Sequence, residues 1–193
     1  MLNRDLPVLS FASSADWEAW LAENHASLAG IWLKIGKSGA TEPSVTYGEA
    51  LDVALCYGWI DGQKDTFDAA WWLQKFTPRR SDSRWSQRNR DKALDLIAQG
   101  RMQPAGLRQV EAARADGRWE SAYASSGTAT VPDDLQRALE ANPAAREFFA
   151  TLDRQNRYAI LYRIQDAKKP ETRARRIASF VTMLAEGKTL YPR

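Results

Sequence analysis

At 193 residues, 44% hydrophobic and 26% charged, the chain has enough apolar mass to close a core without staples, which excludes a disordered chain and a disulfide-dependent miniprotein. One cysteine and one histidine exclude an internal disulfide and a Cys/His zinc cluster; carboxylate sites for magnesium stay open, and no metal and no cofactor is assigned. A net charge of +3 and a pI near 9.1 permit an anionic partner without requiring one.

The first eleven residues carry Asp5 and Pro7 and lack the apolar run of a signal peptide. Nowhere does a run of about 18 apolar residues occur, so the expectation is a soluble cytoplasmic protein with no membrane insertion. Leu6 to Phe11 reads as a short edge strand, because Pro7 cannot donate to a ladder. Ser13 and Asp16 resemble a capping box, opening a helix with Trp17, Trp20, Leu21 and Leu28 near one face. Ile31, Leu33 and Ile35 alternate with Trp32 and Lys34, the period of a strand. After a loop over 36–43, Thr46 and Glu49 form a second capping box, and Gly58 stops that helix. Its apolar residues leave a narrow stripe of Glu49, Asp52 and Cys56. Strands over 59–64 and 71–76 are close enough for an antiparallel hairpin. Seven of the eight tryptophans precede Ser86, so the core of the first half is built on large rings whose indole N–H groups each want a partner.

From Ser86 onward the pattern is helical. Ser86 caps a segment with Ala93, Leu94, Ile97 and Ala98 on one face, ended by Gly100. Pro104 and Gly117 bracket the next helix. Gly127 to Thr130 reads as a linker of small residues, which divides the chain into an α+β domain with a helical hairpin over 1–126 and a helical C-terminal subdomain over 131–193. In the latter, helices are expected over 132–141, 143–152 and 156–165. A last helix carries Ile177, Phe180, Val181 and Leu184 on one face, with Gly187 beyond it. The fold class is α+β: a small, mostly antiparallel sheet packed with helices, followed by a helical C-terminal half.

Charge concentrates where the two halves of this pattern meet. Between Lys75 and Arg90 six cations face one carboxylate, a local charge of +5. With Ser86 as N-cap, the amides of the next turn and the arginines form a candidate anion site. The candidate ligand-binding residues are Trp59, Asp61, Lys64, Arg79, Arg80, Ser83, Arg84, Trp85, Ser86 and Asn89. The alternative is that the arginines pair with Asp61, Asp65, Asp82 and sheet-edge carbonyls, or stack on Trp85 and Trp59. Asp61 is the best candidate for an active carboxylate, with Lys64 or Arg79 as its opposing charge, against a role in fixing the loop. Cys56 reads as an inert thiol, because Asp52 and the helix C-terminus disfavour the thiolate. A second basic cluster, Lys168 to Arg176, carries +4. Few residues of the 104–116 helix suit base reading, which argues against nucleic acid as the partner.

The segments Ala50 to Gly62, Phe76-Thr77-Pro78-Arg79-Arg80 and Ser83-Arg84-Trp85-Ser86 resemble the bacterial YdeI/OmpD-associated family, labelled bacteriocin-protection proteins. Gly100-Arg101-Met102, Pro104-Ala105-Gly106-Leu107, Gly117-Arg118-Trp119 and Glu171 to Ile177 extend the resemblance over nearly the whole chain. It implies a protective role and carries no catalytic residues with it. The reading is a cytoplasmic stress or bacteriocin-protection protein that binds an anionic small molecule or a protein partner, more a binder than an enzyme. The alternatives are a phosphate-handling enzyme using Asp61 and the arginines, and a non-specific nucleic-acid binder.

Overall fold

The computed structural model describes residues 6–192, which fall into two compact units dividing between Ala122 and Tyr123. In the first unit the chain runs through β1 (Val8–Ser10), α1 (Ser14–Asn24), β2 (Ile31–Gly36), α2 (Tyr47–Cys56), β3 (Trp59–Thr66), β4 (Trp71–Pro78), α3 (Gln87–Ala98) and α4 (Pro104–Ala115). The strands form one sheet in the order β1-β2-β4-β3, with β1 parallel to β2 and the other pairs antiparallel. The fold is α+β and the sheet mostly antiparallel, as the patterning implies.

Both capping boxes form. The Asp16 amide donates to Ser13 Oγ at 3.2 Å and the Ser13 amide to Asp16 Oδ2 at 3.1 Å. Thr46 and Glu49 do the same at the head of α2. The helix ends at Gly58, whose φ of 75° is a left-handed conformation that glycine adopts without strain.

Directly opposed residues of a sheet share a face. Ile31, Leu33 and Ile35 of β2, Phe76 of β4 and Trp59 of β3 share the face that forms the main core with Trp17 and Leu21 of α1 and Leu51 and Leu55 of α2. Four tryptophans are fully buried. Trp17 and Trp59 donate their indole N–H groups to the carbonyls of Ala50 and His25 at 3.1 and 3.0 Å. Against the expectation that each indole finds a partner, those of Trp32 and Trp85 have none among the described residues, at a cost of about 1–3 kcal/mol each.

Two faces differ from the sequence reading. Cys56 does not lie on an outer stripe of α2: it is 1% exposed and part of the core. In α3 the buried residues are Asn89, Ala93 and Leu96, while Leu94 is 42% exposed. The spacing i, i+4, i+7 is helical, but it begins on a polar residue, so a search for aliphatic side chains selects the neighbouring face.

The second unit comprises α5 (Asp133–Glu140), α6 (Pro143–Ala150), α7 (Arg154–Gln165) and α8 (Pro170–Ala185) around its own core of Leu135, Leu139, Phe149, Leu161, Ile164, Ile177, Phe180 and Leu184. Asn142 and Asp153 cap α6 and α7 through the amides of Ala145 and Asn156. Arg173 of α8 binds the Asp134 carboxylate of α5 with both Nε, at 2.6 Å, and Nη2, and donates Nη1 to the Ile164 carbonyl near the end of α7. These hydrogen bonds hold the Asp134 carboxyl below its ordinary range.

Candidate functional site

The β3–β4 hairpin contains a register shift that decides where its polar residues go. Asp61 opposes Phe76 and Lys64 opposes Gln74, so three steps along β3 match two along β4. One extra residue is accommodated in a bulge at Gly62 and Gln63, whose carbonyls accept from Gln74 Nε2 at 2.9 and 3.2 Å. Residues three apart in a regular strand point to opposite faces. Here the bulge returns Asp61 and Lys64 to the same face, alongside Trp72 opposite Thr66.

At that edge the N-termini of α2 and α3 complete a polar cluster. The Tyr47 hydroxyl donates to Asp61 Oδ2 at 2.8 Å. The Lys64 ammonium lies 5.3 Å from the Tyr47 ring and 4.8 Å from that of Trp72, and the Arg88 guanidinium approaches Tyr47 to 5.7 Å. These are cation–π distances. Neither Lys64 nor Arg88 has an ion-pair partner among the described residues. Burial, reinforced by the charge and hydrogen bond of Asp61, pushes the Tyr47 phenol up to about 12, so it stays a donor at physiological pH. Ser86 caps α3, its Oγ accepting from the Asn89 amide at 3.1 Å, while the other first-turn amides have no carbonyl within the helix to bond.

The remaining sequence-selected residues sit differently. Trp59 is core. Arg79 is 6% exposed: its guanidinium stacks 3.7 Å over Trp85 and donates to the Arg84 carbonyl at 3.3 Å. Trp85 meets Trp119 edge-on at 4.9 Å. Ser83 Oγ accepts from the Arg80 amide at 3.1 Å, and its carbonyl accepts from Arg118 Nη1 at 2.8 Å. Arg80 is exposed, 3.7 Å from Asp82. Arg84 is half-buried, and Asn89 is buried under the first turn of α3. The structure thus joins Asp61, Lys64 and the Ser86 turn through residues the sequence reading passed over: Tyr47, Trp72 and Arg88. Of these, only Arg88 carried a signal, as one of the six clustered cations.

Cys56 lies apart from this cluster. Burial first, with Glu18 and Asp52 adding, lifts its thiol to about 11, and Arg101 offsets part of that. Asp52, expected to contribute, is engaged 2.5 Å from Lys92. Alkylation at neutral pH is expected to be far slower than that of a free cysteine peptide, because the thiol is both covered and protonated. A rate equal to the peptide's would place Cys56 at the surface.

Among the described residues, no three His, Cys, Asp or Glu side chains gather where they could hold a metal ion, and no helix is long and apolar enough to cross a membrane. By fold and site this is an α+β protein with a helical C-terminal unit and a cationic, aromatic cluster at one sheet edge. Residues 9–109 match the family described as Domain of unknown function (DUF8412), and residues 128–187 match the one described as Bacteriocin-protection, YdeI or OmpD-Associated. The chain therefore belongs to the DUF8412 family, and its similarity to the YdeI/OmpD-associated model is confined to residues 128–187. The motifs between Ala50 and Leu107 fall in the DUF8412 match, so the YdeI/OmpD-associated match is narrower than the sequence resemblance. No curated protein and no solved structure matches the chain significantly.

Proposed function

We propose that this protein binds a small phosphate- or carboxylate-bearing molecule where Lys64, Arg88 and the first turn of α3 meet Tyr47 and Trp72, and that this binding serves bacteriocin or stress protection in the cytoplasm. The observation that carries the reading is the approach of Lys64 and Arg88 to one tyrosine ring from different elements, each without a carboxylate partner. Two cations left unneutralised beside helix amides favour an anion between them. Arg80 and Arg84, just ahead of Ser86, add to the local field. The protective role comes from the name of the family matched by the C-terminal unit.

The second basic cluster supports a small ligand over nucleic acid. Arg173 is committed to Asp134, and Arg176 donates to the Arg163 carbonyl and lies 3.5 Å from Asp166. That withdraws two of the five cations of this cluster from contact with phosphates.

Calorimetric titration with inorganic phosphate is expected to show binding that Lys64→Ala or Arg88→Ala weakens about tenfold or more, the worth of a charge-assisted hydrogen bond. Asp61→Asn is expected to preserve or raise the affinity, because it removes the nearest negative charge. Absence of binding at millimolar phosphate, or indifference to both cation substitutions, would sink the proposal. The Tyr47–Asp61 hydrogen bond also suits a proton-transfer site. An enzyme of that kind would lose on the order of 10² to 10⁴ in rate on Asp61→Asn while still binding its substrate.

A further inference from the structure

The C-terminal unit contains a solvent-open pocket of about 490 Å³ lined by Ser126, Arg154, Gln155, Tyr158, Ala159 and Tyr191. That volume lies in the range of roughly 300–1,000 Å³ typical of small-molecule sites. Both aromatic walls are fixed by hydrogen bonds that do not involve the pocket. The Tyr158 hydroxyl donates to the Ala124 carbonyl at 3.0 Å, and the adjoining turn is closed by Ser125 and Thr128. On the other side the Tyr191 amide donates to Asn156 Oδ1 at 2.9 Å, and Asn156 Nδ2 donates back to the Tyr191 carbonyl at 3.2 Å. Asn156 is 2% exposed, so the tail carrying Tyr191 is anchored in the interior.

The polar groups of the lining are all uncharged or positive. Arg154 has no ion pair among the described residues, and the neighbouring Asp153 carboxylate is occupied by the amide and side chain of Asn156. A second guanidinium, Arg163, reaches the Tyr191 hydroxyl at 3.4 Å. Gln155 and Ser126 add neutral donors and acceptors, and Ala159 adds a small apolar side chain to the lining.

We infer that the C-terminal unit has its own binding site, for a planar aromatic carboxylate whose ring lies against Tyr158 and Tyr191 and whose charge meets Arg154. Ring contacts supply the apolar contribution, and the guanidinium selects the anion. The site lies wholly in the C-terminal unit and stands independently of the anion cluster at the β3 edge.

Titration of the full chain with naphthoate, and with naphthamide as its uncharged counterpart, tests the assignment. Naphthoate is expected to bind more tightly than naphthamide and to shift the ring protons of Tyr158 and Tyr191 in NMR spectra. Arg154→Gln, at an exposed position, should weaken naphthoate about tenfold or more and leave naphthamide unchanged. Ala159→Phe should block both by filling the pocket. Equal affinity for the two compounds, no effect of Arg154→Gln, or loss of naphthoate binding in Lys64→Ala and Arg88→Ala instead would overturn the assignment.

Discussion

Gly106→Ala is expected to destabilise the N-terminal unit by about 3 kcal/mol or more, above the usual cost of overpacking, because the obstacle is backbone. A Cβ on Gly106 would lie 2.3 Å from the Cys56 carbonyl oxygen and 2.7 Å from that of Leu55. No side-chain rotation can relieve contacts with main-chain oxygens, so α4 would have to move off the end of α2. The same crossing is tight at Gly58, where a Cβ would sit 2.9 Å from the Ala105 carbonyl oxygen, and the Gln103 amide donates across it to Cys56 at 3.2 Å. Gly48→Ala is the matched control: it too is helical, but nothing lies within 4 Å of its added Cβ. There the helix preference for alanine should leave stability unchanged or raise it by up to about 1 kcal/mol. All eight tryptophans precede Tyr123, so urea unfolding followed by tryptophan fluorescence reads this unit alone. Equal midpoints for the two variants would mean that the α2–α4 crossing is looser than described.

The features legible in the sequence are those set by residues close together in the chain. Ser13 with Asp16, and Thr46 with Glu49, announce their helices because both halves of each capping box lie within one turn. The alternation in β2 and the short link between β3 and β4 point to the sheet, since period and loop length are local quantities. The candidate site was legible only in part, because it depends on one inserted residue. Nothing in Asp61-Gly62-Gln63-Lys64 reveals whether Asp61 and Lys64 face together or apart until the pairing with β4 is known. Tyr47 carries no signal of its own in the sequence, and its role appears when Asp61 and Arg88 come to it from other elements. Arg79 shows the converse: a cation in a charged run reads as surface, yet a neighbouring indole and a carbonyl let it be buried. Gly106 was visible as part of a motif, but its reason is a contact with a helix some fifty residues earlier in the chain.

Phe180→Ala should remove about 3–5 kcal/mol from the C-terminal unit. Phe180 is 8% exposed and belongs to the core that α8 builds with Ile177 and Leu184, in which α5, α6 and α7 place Leu135, Leu139, Phe149, Leu161 and Ile164. Truncation loses the transfer free energy of the ring and leaves a hole lined by side chains from other helices. Those helices are of 8, 8 and 12 residues, too short to hold their shape without that core. The Arg173–Asp134 pair also fastens α8 to α5, but it is partly exposed and cannot replace the buried ring. The C-terminal unit has no tryptophan, so its loss is read by far-UV circular dichroism, and the fluorescence midpoint separately reports the N-terminal unit. The expected result is a helical signal that declines at lower urea in Phe180→Ala than in the parent. A change below about 1 kcal/mol would place the Phe180 face of α8 outside the core.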